Sequence, residues 1–374
     1  MIKRIIQDNI KIRLDDNKAI FLLGPRQVGK TTLLNEIVKN GEKVVHWNGD
    51  DADIRVVLKN TSTKMLETLI GDAKYVFIDE AQRIENIGLC IKIIIDNLPQ
   101  CKVFATGSST FELANKINEP LTGRKWEYQL FPFSFEEMVN HTSFIDEKRL
   151  LEHRLIYGYY PEIVNNPGKE EEILMQLSDS YLYKDILTWE RIQKPDRLER
   201  LIQAIAFQVG NLVSYNELGQ MSGLDNETVE HYINLLEKTF IVYRLGTFNR
   251  NLRDELKKSR KIYFYDNGLR NAVIKQFSPF GLRNDIGALW ENFILSERLK
   301  YIHYHNYFCN RYFWRNQAQQ EIDYIEEKNG KLFAYEFKWV NKKNKKFPPK
   351  FVEAYPPELT KIIHKDNFHE FLIP

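Results

Sequence analysis

The 374-residue sequence predicts an α/β fold: a parallel sheet, then a helical and winged-helix region, then a C-terminal α+β domain. Three observations carry that prediction. Gly24 to Thr31 reads GPRQVGKT, a glycine-rich loop between an apolar run and a run of helical spacing. Short apolar runs then alternate with helix-like stretches to about residue 140, the pattern of a parallel sheet covered on both faces. Beyond residue 200 the order becomes helix, turn, helix and hairpin, and beyond 268 a long helix precedes strands bearing Asp323, Glu336 and Lys338. The expected divisions are 1–140 for the sheet domain, 141–200 for a helical lid or linker, 201–267 for the winged helix and 268–374 for the last domain.

The loop is justified first. Ala19 to Leu23 (AIFLL) has the continuous apolar character of a buried strand. Thr32 to Val38 follows with Leu33, Leu34 and Ile37 on one side. A strand, a GxxxxGK[ST] loop and a helix make a P-loop, or Walker A motif, in which inward backbone amides and the helix N-terminus hold phosphate. Gly24, Pro25, Arg26, Gln27, Val28, Gly29, Lys30, Thr31 and Thr32 form the candidate loop. Lys30 is placed to reach the β- and γ-phosphates, and the Thr31 hydroxyl to ligate Mg²⁺.

A strand at Lys43 to Trp47, an acidic turn at Gly49 to Asp53 and a helical stretch lead to Tyr75 to Ile78 (YVFI), which ends in Asp79-Glu80. An apolar strand closed by two carboxylates downstream of a P-loop is the Walker B arrangement. Asp79 is the candidate metal ligand, and Glu80 the residue that orients and polarises water. The helix Gly88 to Asn97 carries Leu89, Ile93, Ile94 and Leu98 toward the sheet. The strand Val103 to Thr106 then runs into Gly107-Ser108-Ser109. Ser108 is the candidate γ-phosphate sensor, with Thr106 and Ser109 as alternatives. Arg124, before the strand Trp126 to Leu130, is a candidate arginine finger acting within the chain or on a neighbouring subunit; its alternative is a surface ion pair. Ser134 to Glu137 forms a capping box ahead of a helix.

GPRQVGKTTL, YVFIDEAQRI, ATGSS, LTGR and LFPFSFEE together resemble the predicted ATPases of the AAA superfamily in bacteria and archaea. The resemblance covers essentially the whole chain. It implies an AAA-type P-loop sheet, ATP with Mg²⁺ as the nucleotide, and a C-terminal domain of unknown function. ATP rather than GTP accords with the lack of an NKxD-like guanine-reading motif. No second-sensor arginine is recognisable.

In the middle of the chain, Gly158-Tyr159-Tyr160-Pro161-Glu162 marks a turn and resembles a GGxPE-like element of those relatives. Gln176 to Trp189 reads as a long helix; its Tyr181, Lys184 and Asp185 look like shared elements, and one packed and one wet face explains them equally well. Helices at Leu201 to Val209 and Glu227 to Thr239 flank a second capping box, Ser214 to Glu217. Strands at Ile241 to Leu245 and Lys261 to Tyr265 bracket a loop with Arg250, Arg253, Lys257, Lys258 and Arg260. Glu227, Glu230 and Glu237 on the second helix disfavour groove reading by that helix, whereas the basic wing suits phosphates. DNA and a protein partner are the alternative occupants expected here.

At the C-terminus, Gly287 to Tyr301 is helical and carries Glu291. Ile322 to Ile325 is a strand with Asp323, Gly330 a hairpin turn, and Leu332 to Trp339 the return strand, with Glu336 and Lys338 on one face. This is the PD-(D/E)xK nuclease constellation. The family resemblance implies a restriction-endonuclease-like fold here. Asp323, Glu336 and Glu291 are candidate ligands of a second Mg²⁺, and Lys338 would steady water or a phosphate. Lys342, Lys343, Lys345 and Lys346 suit a phosphate-rich partner.

Composition bounds the reading. A net charge of +2 selects neither for nor against nucleic acid. Cys90, Cys101 and Cys309 contain no CxxC pair, so neither a disulfide framework nor a cysteine zinc site is expected. The charge-broken start is unlike a secretory signal, and no apolar run is of bilayer length, so a cytoplasmic protein is expected. The leading expectation is an ATP-hydrolysing protein that couples nucleotide state to a C-terminal interaction module. The rivals are an ATP-gated switch holding a protein partner and an ATP-licensed DNA nuclease.

Overall fold

The computed structural model describes residues 2–38, 41–108, 120–180, 195–250, 260–341 and 346–373. They form two compact units, Met1–Phe133 with Lys238–Phe240, and Ser134–Glu237 with Ile241–Pro374. Ser109, Tyr181, Lys184, Asp185, Arg253, Lys257, Lys258, Lys342, Lys343 and Lys345, singled out in the sequence, lie outside the described residues.

The first unit is built on five parallel strands: β1 (Ala19–Leu23), β2 (Val44–Asn48), β3 (Tyr75–Asp79), β4 (Lys102–Gly107) and β5 (Lys125–Gln129). Their order is β2-β3-β4-β1-β5. Every residue of the inner strands β1 and β4 is buried, as expected of parallel strands covered on both faces. Phe77 and Phe104 meet edge to face across β3 and β4, their centroids 5.2 Å apart. Because β1 lies between β4 and β5, with Leu23 opposite both Gly107 and Gln129, the loop after β1 emerges beside the carboxyl ends of its neighbours. That is where an open α/β sheet presents a crevice.

The helix Ile87–Asn97 and its C-cap bury Ile94 and Leu98 as expected, but Leu89 faces out and Ile93 is only half-buried. Ile87, Cys90, Ile91, Ile94 and Ile95 are buried, whereas Leu89 is 52% exposed. The 3.6-residue period starting from Ile87 carries 87, 91, 94 and 98 inward and turns 89 out.

The second unit begins with helices and ends in a mixed seven-stranded sheet, ordered β12 (Leu359–Ile363), β11 (Lys331–Phe337), β10 (Glu321–Lys328), β9 (Asn310–Arg315), β7 (Val242–Thr247), β8 (Arg260–Phe264) and β6 (Leu212–Val213). The capping box at Ser134 forms as expected: the Glu137 amide donates to Ser134 Oγ at 3.1 Å, and the Ser134 amide to Glu137 Oε2 at 3.0 Å. The one at Ser214 does not. Ser214 occupies the N-cap of Tyr215–Ser222 without a side-chain cap bond, and Glu217 instead accepts from Gln208 Nε2 at 3.1 Å.

The helices Pro195–Phe207, Tyr215–Ser222 and Asn226–Lys238 accompany β6 (Leu212–Val213), β7 (Val242–Thr247) and β8 (Arg260–Phe264). Strand β8 pairs antiparallel with both β6 and β7. The remaining strands are β9 (Asn310–Arg315), β10 (Glu321–Lys328), β11 (Lys331–Phe337) and β12 (Leu359–Ile363). The β10–β11 hairpin turns through Asn329 and Gly330, both at positive φ (52° and 76°) between the paired Lys328 and Lys331. An Asn-Gly pair suits the type I′ turn that matches strand twist. Strand β7 also pairs in parallel with β9, at Gly246–Tyr312 and Thr247–Phe313. The strands of the 201–267 stretch and those of the 268–374 stretch are therefore one sheet.

The helix Ile286–Tyr304 is buried along much of its length, including Glu297, Arg298 and Lys300. Its buried charges are paired: Arg298 holds Glu326 through Nε at 2.7 Å and Nη2 at 2.9 Å, and Lys300 meets Glu297 at 2.6 Å.

Candidate nucleotide site and a second charged cluster

Two glycines shape the loop after β1. A Cβ at Gly24 would lie 2.0 Å from the Leu130 carbonyl oxygen, so only glycine lets the loop pass β5's end. Gly29, at φ +89°, caps the helix Lys30–Ile37 in a left-handed conformation. Lys30 is buried and folds back over the loop, its Nζ donating to the Gly24 and Pro25 carbonyls at 2.9 and 2.8 Å. The buried Arg4 braces the loop through Val28 O (2.9 Å) and Phe131 O (2.5 Å). No motif marks Arg4 in the sequence; it is a lone cation in a mixed N-terminal stretch.

At the end of β3, Thr31 Oγ1 donates to Asp79 Oδ2 at 2.9 Å, which brings the two candidate metal ligands together. Thr106 Oγ1 donates to Asp79 Oδ1 and accepts from the Glu80 amide at 3.3 Å. Glu80 stands at φ 47°, ψ 45°, a left-handed position for a residue with a side chain, of the kind that collects at functional sites. Its Oε2 accepts from Ser108 Oγ at 3.1 Å and from Gln82 Nε2 at 2.5 Å, and Gln82 also reaches Ser108 at 3.2 Å. The candidate sensor thus sits against the candidate water-orienting carboxylate. Gln82 and Gly49 were not anticipated. A Cβ at Gly49 would come within 2.3 Å of the Glu80 carbonyl. The sequence signal was present for both, since Gln82 lies two residues past the carboxylate pair and Gly49 ends the strand beside it.

Arg124 requires a correction. It precedes β5, and its carbonyl accepts from the Ala19 amide at 3.0 Å, at the amino-terminal edge of the sheet. The P-loop leaves the opposite edge, about 16 Å away along five residues of strand. Arg124 Nε pairs with Asp96 at 2.9 Å on the surface. An in-chain arginine finger is excluded by this geometry, which leaves the ion pair and a contribution to a neighbouring subunit.

The second set of residues converges within the seven-stranded sheet. Lys338 Nζ lies 2.9 Å from Asp323 Oδ2 and 3.1 Å from Glu336 Oε2. The Phe337 amide also donates to Asp323, at 2.8 Å. Glu291 is reached from β8 by the buried Lys261 at 3.0 Å and by Tyr263 OH at 2.6 Å, and Lys261 meets Glu321 at 2.6 Å. Burial raises the Glu291 pKa against the pull of Lys261. At Asp323 burial acts the same way, but the ammoniums of Lys338 and Lys261 overcome it and hold the carboxyl below its ordinary range. Lys261 and Glu321 are members that the sequence reading missed, because Lys261 sits on a strand assigned to the wing. No group of three or more His, Cys, Asp or Glu among the described residues is arranged to hold a metal ion.

A five-stranded parallel sheet of order β2-β3-β4-β1-β5, with a glycine loop after β1 and an acidic pair after β3, defines the P-loop nucleotide-binding class. Residues 16–139 match the family model described as an AAA domain, residues 148–279 a domain of unknown function (DUF8612), and residues 286–369 a domain of unknown function (DUF4143). The first third of the chain thus matches an AAA domain, and the rest matches two domain families without an assigned function. An uncharacterised protein of Mycobacterium tuberculosis is 24% identical over 325 residues, covering 86% of this chain and 70% of its own. One of Methanocaldococcus jannaschii is 22% identical over 366 residues, covering 91% and 79%. The solved Walker-type ATPase PABY2304 of Pyrococcus abyssi shares the fold, with a TM-score of 0.51 and 15% identity over 73% of this chain and 96% of that one. No helix among the described residues is long and apolar enough to cross a membrane.

Proposed function

We propose that the chain binds ATP at Gly24 to Thr32, hydrolyses it, and uses the nucleotide state to control an interaction module in its C-terminal half. The observation that carries this reading is the cluster at the carboxyl edge of the sheet. There Thr31 meets Asp79, and Glu80 is held by Ser108 and Gln82.

Lys30 is the cation of the site. Its ammonium exchanges two loop carbonyls for the β- and γ-phosphate oxygens of the substrate. The donor set fits Mg²⁺: Thr31 and Asp79 supply adjacent hard oxygens, and phosphate oxygens and water complete such a shell. An ion held by Thr31 and Asp79 would neutralise charge on the phosphates. Glu80 accepts a hydrogen bond from water and directs it at the γ-phosphorus, while Ser108 and Gln82 set the carboxylate's orientation. Calorimetry with ATP and Mg²⁺ tests the reading. Binding by the wild type and loss of binding in Lys30→Ala are expected; heat-silent wild-type protein rejects it.

The helices and hairpin from Pro195 to Phe264 follow the order of a winged helix, and Asp323, Glu336 and Lys338 that of a nuclease-like site. One observation favours the switch reading over the nuclease: Lys261 and Lys338 already occupy the positions between the carboxylates that a cation needs. The C-terminal module then holds a protein or DNA partner without cutting. Incubation of plasmid DNA with the protein, ATP and Mn²⁺ separates the two. Intact plasmid supports the switch, and scission lost in Lys338→Ala restores the nuclease.

A further inference from the structure

The cleft beside the end of helix Pro195–Phe207 has no part in the proposed ATP site. It has a volume of about 340 Å³, and its walls include Phe207, Arg270, Lys275, Gln276, Asn284 and Asp285. Two arginines share the single carboxylate of Asp285. Arg270 Nη1 meets Oδ2 at 2.6 Å, while Arg283 binds through Nε to Oδ1 and Nη2 to Oδ2, both at 2.8 Å. Both arginines are buried, at 2% and 6% exposure. One carboxylate neutralises one guanidinium, so a buried positive charge is left over. Such a charge is costly unless an anion joins it.

Arg270 is locked in place. Nε donates to the Ala206 carbonyl at 2.8 Å, and Nη1 to Asn271 Oδ1 at 2.9 Å as well as to Asp285. Its remaining nitrogen, Nη2, makes no hydrogen bond among the described residues, on a side chain that walls the cleft. Lys275, an exposed residue of the same wall, brings a further ammonium. Arg270, Arg283 and Lys275 against Asp285 sum to two positive charges. A phosphate monoester carries about −1.5 to −2 at neutral pH. Phe207, 65% exposed on the same cleft, offers a flat apolar face, and aromatic rings of that kind stack bases.

We infer that this cleft is a binding site for a nucleotide 5′-phosphate, with the phosphate on Arg270 and Lys275 and the base against Phe207. The ligand is either a free mononucleotide or the 5′-phosphorylated end of a single strand; the chemistry is shared. The volume suits one nucleotide unit.

The test uses the full-length Lys30→Ala protein, so that nucleotide uptake at the P-loop does not contribute. Calorimetry is run with inorganic phosphate, thymidine 5′-monophosphate, thymidine, and tetrathymidylate with and without a 5′-phosphate. The phosphorylated probes are expected to bind at least about tenfold more tightly than their unphosphorylated counterparts, as charge-assisted bonds require. Adding Lys275→Glu removes most of that difference, and Phe207→Ala weakens thymidine 5′-monophosphate but leaves inorganic phosphate unchanged. Both side chains are exposed, so neither substitution threatens the fold. Equal affinity for mononucleotide and strand identifies the free nucleotide as ligand; a tighter strand identifies the strand end. No binding, binding indifferent to the phosphate, or full binding by Lys275→Glu overturns the inference. None of these results bears on ATP at the P-loop, which is read with Lys30 intact.

Discussion

Glu80 carries the proposed chemistry and pays in backbone strain for its place, since its left-handed φ of 47° is unfavourable for any residue with a Cβ. Glu80→Gln is expected to bind ATP normally and to lower turnover by about 100-fold, in line with the loss of a positioned base; a phosphate-release assay beside calorimetry checks both halves. Ser108→Ala should slow turnover less, because Gln82 still holds the carboxylate. Lys261 is a residue of another kind. It is 1% exposed and bridges Glu291 and Glu321. Lys261→Met would leave the partly exposed carboxylates of Glu291 and Glu321 without their shared cation and should destabilise the protein by about 2–3 kcal/mol, less than the usual cost of breaking a fully buried pair. Chemical denaturation measures it, and a loss below 1 kcal/mol would show that the carboxylates find other partners.

The elements that were legible in the sequence were those with a strong local signal. The apolar runs AIFLL, YVFI and VFAT fell within β1, β3 and β4, and the Asn-Gly turn between β10 and β11 fell where Gly330 indicated. What stayed hidden depends on pairing across distance. Nothing local marks Arg4 as the brace of the loop, since its partners Val28 and Phe131 are 24 and 127 residues away. Arg124 sat in a suggestive LTGR motif, but strand direction puts it at the wrong edge of the sheet for its own P-loop, and only the β1–β5 register reveals that. Likewise, Lys261 belongs to the second cluster because β8 lies under Glu291, a fact of topology rather than spacing. The loop glycine is the sharpest prediction at this scale. Gly24→Ala places a Cβ against the Leu130 carbonyl at 2.0 Å. The loop must shift, so ATP binding should fall at least about tenfold in a titration while far-ultraviolet circular dichroism stays unchanged.

The whole molecule responds to acid through groups that burial keeps neutral. His303 is held down to about 4, by burial first and by the Arg311 charge second. Its folded pKa therefore lies below the unfolded value of 6.5. Between those values the unfolded chain binds the extra proton, so stability is full above about pH 6.5 and declines as pH falls toward 4. Thermal melts across that range should show a falling midpoint, with a shallower slope in His303→Gln. If Arg124 serves a neighbouring subunit, Arg124→Ala should lose activity that an equimolar Lys30→Ala protein restores; if it is only the partner of Asp96, turnover stays at the wild-type level.

The junction of β7 with β9 decides how the chain can be divided. A piece cut to begin at residue 268 would lack β6, β7 and β8 and leave β9 with a row of bare amides and carbonyls, a template for stacking one copy on the next. Beginning at Ser134 instead keeps all seven strands in register. Anyone expressing the C-terminal half by itself should find the shorter piece in the pellet and the longer one in the supernatant.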